Sequence, residues 1–380
     1  MINVTVTGAG GFIGKNLVDR LQRVKGVSLR QYHHGDDLSL LHEYLNESDI
    51  IYHLAGVNRP PNSDAFASVN RGLTESIVNY LKKHHKTPKI IFTSSIQAEG
   101  NTPYGLSKKA AEEVLQNYHI ETGADVCIYR LPGVFGKWCR PHYNSVVATF
   151  CHEISHDKEI EIHDADKKID LVYIDDVIDS FIDCLDQKKP EKKLYYDIDQ
   201  TFQTTVGELA EKLYQIKNVR ESLIIPDLSD QFTKYLYTTY LSYLEADNLA
   251  YALPVHRDER GSLVELIKSN QAGQVFISTS RQGVVRGNHY HHTKVEKFCV
   301  IKGAARIKLR KIDSDKQITY QVTDQNIEIV DIPPGYTHSI ENITEEEIIV
   351  LFWANEIFDP ENPDTISLDV QPNKTDEQKG

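Results

Sequence analysis

The sequence predicts an α/β fold, a doubly wound parallel sheet over the first two-thirds of the chain, followed by a small all-β barrel. Three observations carry this. The β-branched run Ile2 to Thr7 enters the glycine cluster Gly8-Ala9-Gly10-Gly11-Phe12-Ile13-Gly14, and Phe12, Ile13, Leu17, Leu21 and Val24 then recur at helical intervals. The apolar runs at residues 27–32, 49–53 and 89–95 alternate with helical segments, as strands do in βαβ units. From about Val255 the pattern changes to short β-branched runs between turns, at 275–278, 298–301, 305–309 and 327–330.

With 380 residues the chain has room for two domains, and the composition shift divides it into 1–243, a linker at 244–257, a barrel at 258–369 and a polar, disordered tail at 370–380. The formal charge of −13 argues against a general nucleic-acid binder, which would carry a basic stripe. Cys127, Cys139, Cys151, Cys184 and Cys299 are odd in number and lack metal-like spacing, so they read as free thiols in a reducing compartment. The start MINVTVTGAGG enters a strand directly, and no apolar run approaches the roughly 20 residues that span a bilayer. A cytoplasmic protein with no membrane contact is expected.

Strand, glycine turn and helix in succession form a nucleotide-binding loop. Gly8 permits the tight turn, Gly11 lets a pyrophosphate reach backbone N–H groups, and Gly14 allows close packing. Phe12 and Ile13 open the helix whose N-terminus faces the phosphates. The second strand ends in Gln31-Tyr32-His33-His34, without the acidic residue that binds a ribose 2′-hydroxyl. Counting residues would give Asp36 that role, but strand register makes Asp36 and Asp37 the cap of the next helix. Arg30, His33 or His34 would instead face a 2′-phosphate, which points to NADPH. Ala55 and Gly56 close the third strand beside the cofactor.

Tyr104-Gly-Leu-Ser-Lys108 places a phenol and an ammonium one turn apart on a helix opened by Pro103. A Lys108 cation beneath the Tyr104 hydroxyl would lower its pKa from about 10. The tyrosine could then exchange a proton with a carbonyl oxygen held by a neighbouring serine. Alone this spacing occurs on many solvated helix faces. Together, TGAGGFIG, HLAG, the serine pair Ser94-Ser95 and Tyr104-x-x-x-Lys108 resemble the extended short-chain dehydrogenase/reductase family, whose sheet is of the Rossmann type. The resemblance makes Ser95, Tyr104 and Lys108 the catalytic residues, with Ser94 the close second for the serine, and adds Tyr104 and Lys108 to the cofactor contacts. Residues 130–136 resemble the loop over the nicotinamide, although Gly133 stands where many relatives carry asparagine. The irregular stretch after Trp138 matches the sugar-nucleotide region, with Arg140 and Asn144 as candidate substrate contacts. Residues 171–177 resemble the return strand, where Asp175 and Asp176 read as a helix cap. The aromatic stretch 232–243 reads as packing between the two domains rather than base stacking.

In the last third, His289 and His291 alternate along a strand and share a face, Glu296 follows a turn, and His338 comes from a third strand. Three imidazoles and a carboxylate around an open position suit Zn²⁺, Mn²⁺ or Fe²⁺. Residues 283–303 and 333–342 resemble the two cupin boxes, with Ile327 in place of the second box's leading glycine. The resemblance makes His289, His291, Glu296 and His338 the ligands of one divalent metal per barrel, zinc foremost. His292 could exchange roles with His291, and a metal-free barrel with satisfied histidines is the plain alternative. Val285-Arg286-Gly-Asn-His289-Tyr290 also resembles a stretch of sugar-nucleotide 3,5-epimerases in which the histidine is a base, so His289 has two possible roles. Arg286 is a candidate contact for a diphosphate.

With the segments at 54–60, 135–139 and 336–338, the whole chain is similar to the bifunctional epimerase/reductases of capsular polysaccharide synthesis. That similarity implies a UDP-2-acetamido-2,6-dideoxy-4-hexulose substrate. The barrel would epimerise C3 and the first domain would reduce the C4 ketone with NADPH. The product would be UDP-2-acetamido-2,6-dideoxy-L-talose, a precursor of UDP-N-acetyl-L-fucosamine. A plain 4-ketosugar reductase with a structural or dimerising barrel is the first alternative. A non-catalytic redox-sensing binder is the second, and the intact Ser95, Tyr104 and Lys108 set tells against it. Cupins pair their barrels, so a homodimer is expected.

Overall fold

The computed structural model describes residues 1–58, 70–185, 193–245 and 248–371. In chain order the first part runs β1 (Ile2–Thr7), α1 (Phe12–Leu21), β2 (Val27–Tyr32), α2 (Leu38–Glu47), β3 (Ile50–His53), α3 (Gly72–Lys83) and β4 (Lys89–Ser95). It continues through α4 (Pro103–Thr122), β5 (Val126–Leu131), β6 (Gly133–Phe135), α5 (Val146–Ser155), β7 (Lys168–Tyr173) and α6 (Ile174–Asp183). Then follow β8 (Tyr195–Tyr196), β9 (Phe202–Thr205), α7 (Val206–Ser222) and α8 (Gln231–Leu241). Compactness divides the chain into two units, Met1–Tyr214 with Lys234–Leu244, and Gln215–Thr233 with Glu245–Gly380.

The first unit is the expected doubly wound sheet. Its strands lie in the order β2-β1-β3-β4-β5-β8 and every pairing is parallel. Continuous apolar strands suit a sheet covered on both faces, and Ile50, Ile51, Ile90, Ile91 and Ile128 are fully enclosed. Leu45, Leu81, Leu115 and Tyr118 from the helices pack on Ile51, Phe92 and Ile128. Because β2 and β3 both pair with β1, the winding reverses there, and a crevice opens at the carboxyl ends of the strands. A second, three-stranded sheet orders β6-β7-β9, so residues 171–177 enter this smaller sheet and then α6. Tyr173 caps α6, and Asp175 and Asp176 sit in its first turn. Asp175 accepts from Lys137 Nζ at 2.7 Å and Asp176 from the Tyr235 hydroxyl at 2.9 Å, so both bind side chains instead of capping. In the aromatic stretch, Tyr235 stacks on Tyr173 within the first unit, with centroids 3.8 Å apart.

The second unit is all β: β10 (His256–Asp258), β11 (Gly261–Ser269), β12 (Gly273–Ser280), β13 (Val285–Tyr290), β14 (Glu296–Lys302) and β15 (Ala304–Lys311). After these come β16 (Gln317–Thr323), β17 (Ile329–Ile332), β18 (Tyr336–Asn342), β19 (Ile348–Ala354) and β20 (Ile366–Ser367). Two antiparallel sheets, β10-β11-β12-β19-β14-β17 and β16-β15-β18-β13-β20, enclose Phe298, Val300, Ile307, Leu309, Ile340, Val350 and Phe352. The strand expected from Ile327 begins at Ile329, and Ile327 itself is exposed. Residues 215–233, read from sequence as part of the first domain, group with this unit. Lys268 on β11 bonds Leu223 and Ile225 through its backbone, each at 2.8 Å, and a helical pattern cannot announce such a partner. Arg59, Pro60 and the tail from residue 372 lie outside the described residues. Among the described residues no helix is long and apolar enough to cross a membrane.

Candidate functional site

Within the first unit a cleft of about 1050 Å³ follows the carboxyl ends of the strands. Its floor is the turn between β1 and α1. A Cβ at Gly14 would lie 2.2 Å from the Gly8 carbonyl, so only glycine lets α1 start this close to the strand. Gly11 caps α1 without a side-chain acceptor, which leaves the first N–H groups of the helix facing the cleft. Gly8, Gly11, Phe12, Ile13, Gly14, Ala55 and Gly56 all line it.

At the end of β2 the candidates separate. His33 and His34 line the cleft, and His33 Nδ1 lies 3.3 Å from where a Cβ on Gly10 would be. Arg30 is not among the lining residues; its guanidinium pairs with Glu47 and lies over the Tyr44 ring. The Arg30 expectation is thereby corrected: Arg30 shares a face of β2 with Tyr32, but Glu47 and Tyr44 on α2 engage its guanidinium outside the cleft lining. Asp36 accepts from the His33 backbone N–H at 2.7 Å, and Asp37 caps α2 through the Ser39 N–H at 3.0 Å.

The reacting end is built by β4 and α4. Thr102 caps α4, accepting from Gly105 N–H at 3.0 Å. A Cβ on Gly105 would lie 2.0 Å from the Gln97 carbonyl, so glycine lets the first turn of α4 close on the turn after β4. That approach brings the Tyr104 hydroxyl into a hydrogen bond with Ser95. Ser94 points elsewhere, donating to the buried carboxylate of Glu112, which also receives Arg130 Nε at 3.0 Å, Arg130 Nη2 at 2.6 Å and the Tyr195 hydroxyl at 3.0 Å. Lys108 is buried and donates to the Thr93 carbonyl at 2.9 Å.

Burial raises the Tyr104 phenol to about 12, with the Ser95 hydrogen bond opposing and Tyr143 reinforcing the shift. This reverses the expected lowering by Lys108. Desolvation dominates at the phenol, and Lys108 is itself pushed down by burial to about 8, with Glu112 raising it. Leu131, Pro132, Gly133 and Val134 line the cleft as well, and so do Trp138, Arg140, Tyr143 and Asn144. Arg140 lies 5.7 Å above the Tyr143 ring.

In the second unit His289, His291, Glu296 and His338 converge, with one ligand atom from each, all within 4.8 Å of one another. His289 pairs across the ladder with His338 because a bulge at Asn288, whose φ is +56°, inserts one extra residue. His291 lies just past the end of β13, so the bulge and the turn, more than simple alternation, aim the two rings together. His291 Nε2 and His338 Nε2 approach Glu296 Oε2 at 3.2 and 3.3 Å. Their Nδ1 atoms are engaged by the carbonyls of Asp364 at 2.5 Å and Tyr336 at 3.3 Å, the outer contacts that orient metal-binding imidazoles. Burial would raise the Glu296 carboxyl, but bonds to His291 and His338 bring it to about 2. Burial and the two neighbouring histidines hold His289 down at about 4. His292 is exposed, lies outside the cluster and does not exchange with His291. Arg286 donates to Ser280 Oγ at 2.9 Å and the Thr279 carbonyl at 3.0 Å; it pairs with Ile340, two ladder positions from His338 and on the same face.

Residues 4–198 match the NAD dependent epimerase/dehydratase family and residues 256–366 the polysaccharide biosynthesis C-terminal domain. The chain belongs to the NAD dependent epimerase/dehydratase family. It is 43% identical over 97% of its length, and 99% of the relative's, to the UDP-2-acetamido-2,6-beta-L-arabino-hexul-4-ose reductase of Pseudomonas aeruginosa. The capsular polysaccharide assembling protein CapF of Staphylococcus aureus matches at a TM-score of 0.90 and 40% identity, over 97% of this chain and 100% of that one. RMD of Pseudomonas aeruginosa, solved with NADPH, shares the fold of the first part at 23% identity and a TM-score of 0.51, over 57% of this chain and 84% of that one. The CapF-type architecture read from the sequence is thus borne out: a reductase/epimerase domain of the nicotinamide-dependent family, joined to a β domain of polysaccharide biosynthesis. The chain is an oxidoreductase of nucleotide-sugar metabolism in capsule biosynthesis.

Three residues that touch the candidate sites escaped the sequence reading. Glu112 carries a signal, since Tyr104, Lys108 and Glu112 follow at i, i+4 and i+8 on one helix face. Tyr143 reaches the Asn58 N–H at 3.5 Å from 85 residues away, and Asp364 reaches His291 from 73 away; neither distance leaves a local pattern.

Proposed function

We propose that the protein converts a UDP-2-acetamido-2,6-dideoxy-4-hexulose to UDP-2-acetamido-2,6-dideoxy-L-talose, the precursor of UDP-N-acetyl-L-fucosamine, by C3 epimerisation in the β unit and C4 reduction in the first unit. The observation that carries it is the pairing in one chain of a Ser95–Tyr104–Lys108 cleft with a buried four-donor cluster. The name of the Pseudomonas aeruginosa relative supports the 4-ketosugar substrate.

In the cleft, NADPH would supply the hydride to C4. Tyr104, protonated across the physiological range, gives its proton to the ketone oxygen while Ser95 holds that oxygen by a hydrogen bond. Lys108, at about 8, keeps substantial positive charge at pH 7 and stabilises the phenolate left behind. Lining by His33 and His34 supports a 2′-phosphate, hence NADPH over NADH. Arg140 and Asn144, which also line the cleft, would hold the sugar nucleotide.

In the β unit, a C4 ketone acidifies the C3 proton, which leaves and returns on the other face with no net change of composition. The donor set of three imidazoles and one carboxylate, with two Nδ1 atoms already tied to carbonyls, fits a divalent metal, zinc foremost. A cation held by His289, His291, Glu296 and His338 would supply positive charge for the enolate oxygen. His289 is assigned as ligand rather than base because its donor atom lies within 4.8 Å of those of His291, Glu296 and His338. Arg286, on the same face, would meet the diphosphate.

Five free cysteines support a reducing cytoplasm, and exposed apolar residues on the edge strands, Ile318, Tyr320 and Ile329, support a paired barrel in a homodimer. The plain reductase reading keeps one observation in its favour, that the relative's name gives only the reductase. The test is incubation with the UDP-4-ketosugar in D₂O without NADPH, following C3 by NMR. Deuterium entering C3, and lost in H338A, supports the bifunctional reading. No exchange with intact NADPH oxidation leaves the plain reductase.

A further inference from the structure

A second group of metal-type donors lies wholly in the first unit. His142, in the loop between β6 and α5, and His152 and Glu153, on α5, place one ligand atom each within 4.8 Å of the others. His142 Nε2 stands 2.9 Å and His152 Nε2 3.9 Å from the same oxygen, Glu153 Oε1. The two imidazoles meet edge to face with centroids 5.5 Å apart. Tetrahedral ligands about 2.0–2.2 Å from one zinc ion stand about 3.3–3.6 Å apart, and the 2.9 and 3.9 Å separations bracket that spacing.

Two further features mark the arrangement as built. His142 holds a left-handed φ of +57°, which costs a non-glycine residue energy and here turns the ring toward α5. Its backbone N–H donates to Thr149 Oγ1 at 3.0 Å, anchoring the loop to the first turns of the same helix. Lys158 Nζ, 4.0 Å from Glu153 Oε1, is the one opposing charge among the described contacts of that carboxylate, and its side chain is more than half exposed and can swing away.

We propose that His142, His152 and Glu153 form a second divalent transition-metal site, of the zinc class, that clamps the loop onto α5. The loop supplies Trp138, Arg140, Tyr143 and Asn144 to the cleft wall. An ion bound outside the cleft would therefore fix the wall in its present arrangement. Two nitrogens and one carboxylate leave open positions for water, and this donor set selects zinc over calcium or magnesium. The inference does not depend on the metal role of the β-unit cluster.

The test uses the full chain, stripped with chelator and dialysed against Zn²⁺. H142A and H152A should each bind one zinc fewer than wild type, while H289A/H338A retains this equivalent. The chain has two tryptophans, so W353F leaves Trp138 as the single reporter on the loop. Zinc should change its emission in W353F and leave it unchanged in W353F/H152A. H142A, altered at a half-exposed ring, covers the case in which H152A fails to fold. Equal zinc stoichiometry in wild type, H142A and H152A would overturn the proposal, as would the same Trp138 response without His152.

Discussion

Lys108 offers the sharpest test of the cleft chemistry. Burial brings its ammonium from the ordinary 10.5 to about 8, while Glu112, one turn along α4, works in the other direction. At about 1.36 kcal/mol per pKa unit, burying this charge costs roughly 3 kcal/mol relative to water. The sign follows directly: a lysine with a lowered pKa is cationic below that value and loses its charge as pH rises through it. Thus kcat/KM for NADPH, which reports the free enzyme, should be level up to about pH 8 and then fall about tenfold per unit. Glu112→Gln removes the carboxylate that raises Lys108, so the alkaline limb should move to lower pH. The assay is NADPH oxidation with the 4-ketosugar from pH 6 to 10, with thermal unfolding of the variant measured alongside. A level profile to pH 10, or a limb unmoved in folded Glu112→Gln, would refute the assignment.

Three other outcomes are expected. Tyr104→Phe should lower kcat for reduction by about 10²–10⁴-fold while NADPH affinity stays within a few-fold, checked by steady-state kinetics and cofactor titration. His33→Ala/His34→Ala should raise KM for NADPH about tenfold or more and leave NADH unaffected, since a hydrogen bond to a charged group is worth about 1.5–3 kcal/mol; Arg30→Ala should leave the preference unchanged. In metal-stripped protein, His289 is held near 4, so the unfolded chain binds more protons than the folded one between its ordinary 6.5 and about 4. Stability should therefore fall as pH drops through that window, and His289→Gln should flatten this part of the urea-midpoint profile.

Much of the molecule was legible because its signals are local. The bounds of β1 and β2, the glycine turn, the Pro103 helix start and the Asp37 cap each depend on residues within a few positions. Misreadings arose where a distant partner decides. Arg30 looked like a phosphate contact until Glu47 on α2 was seen to pair with it. Offset from the strand favoured Ser95 with Ser94 a close second; the fold separates them, because Glu112 captures Ser94 and Tyr104 meets Ser95. The Tyr104 pKa was misjudged because spacing shows a neighbouring cation but not the burial that overrides it.

By itself the sequence determined the two architectures. Hydrophobic period, turn glycines and the i, i+4 relation are properties of consecutive residues and survive without a fold. Tertiary structure alone decided the exposure of each group, the direction of each pKa and the membership of each cluster. Desolvation depends on every atom packed around a charge, and the bulge at Asn288 that lets His289 meet His338 exists only once β13 and β18 are paired.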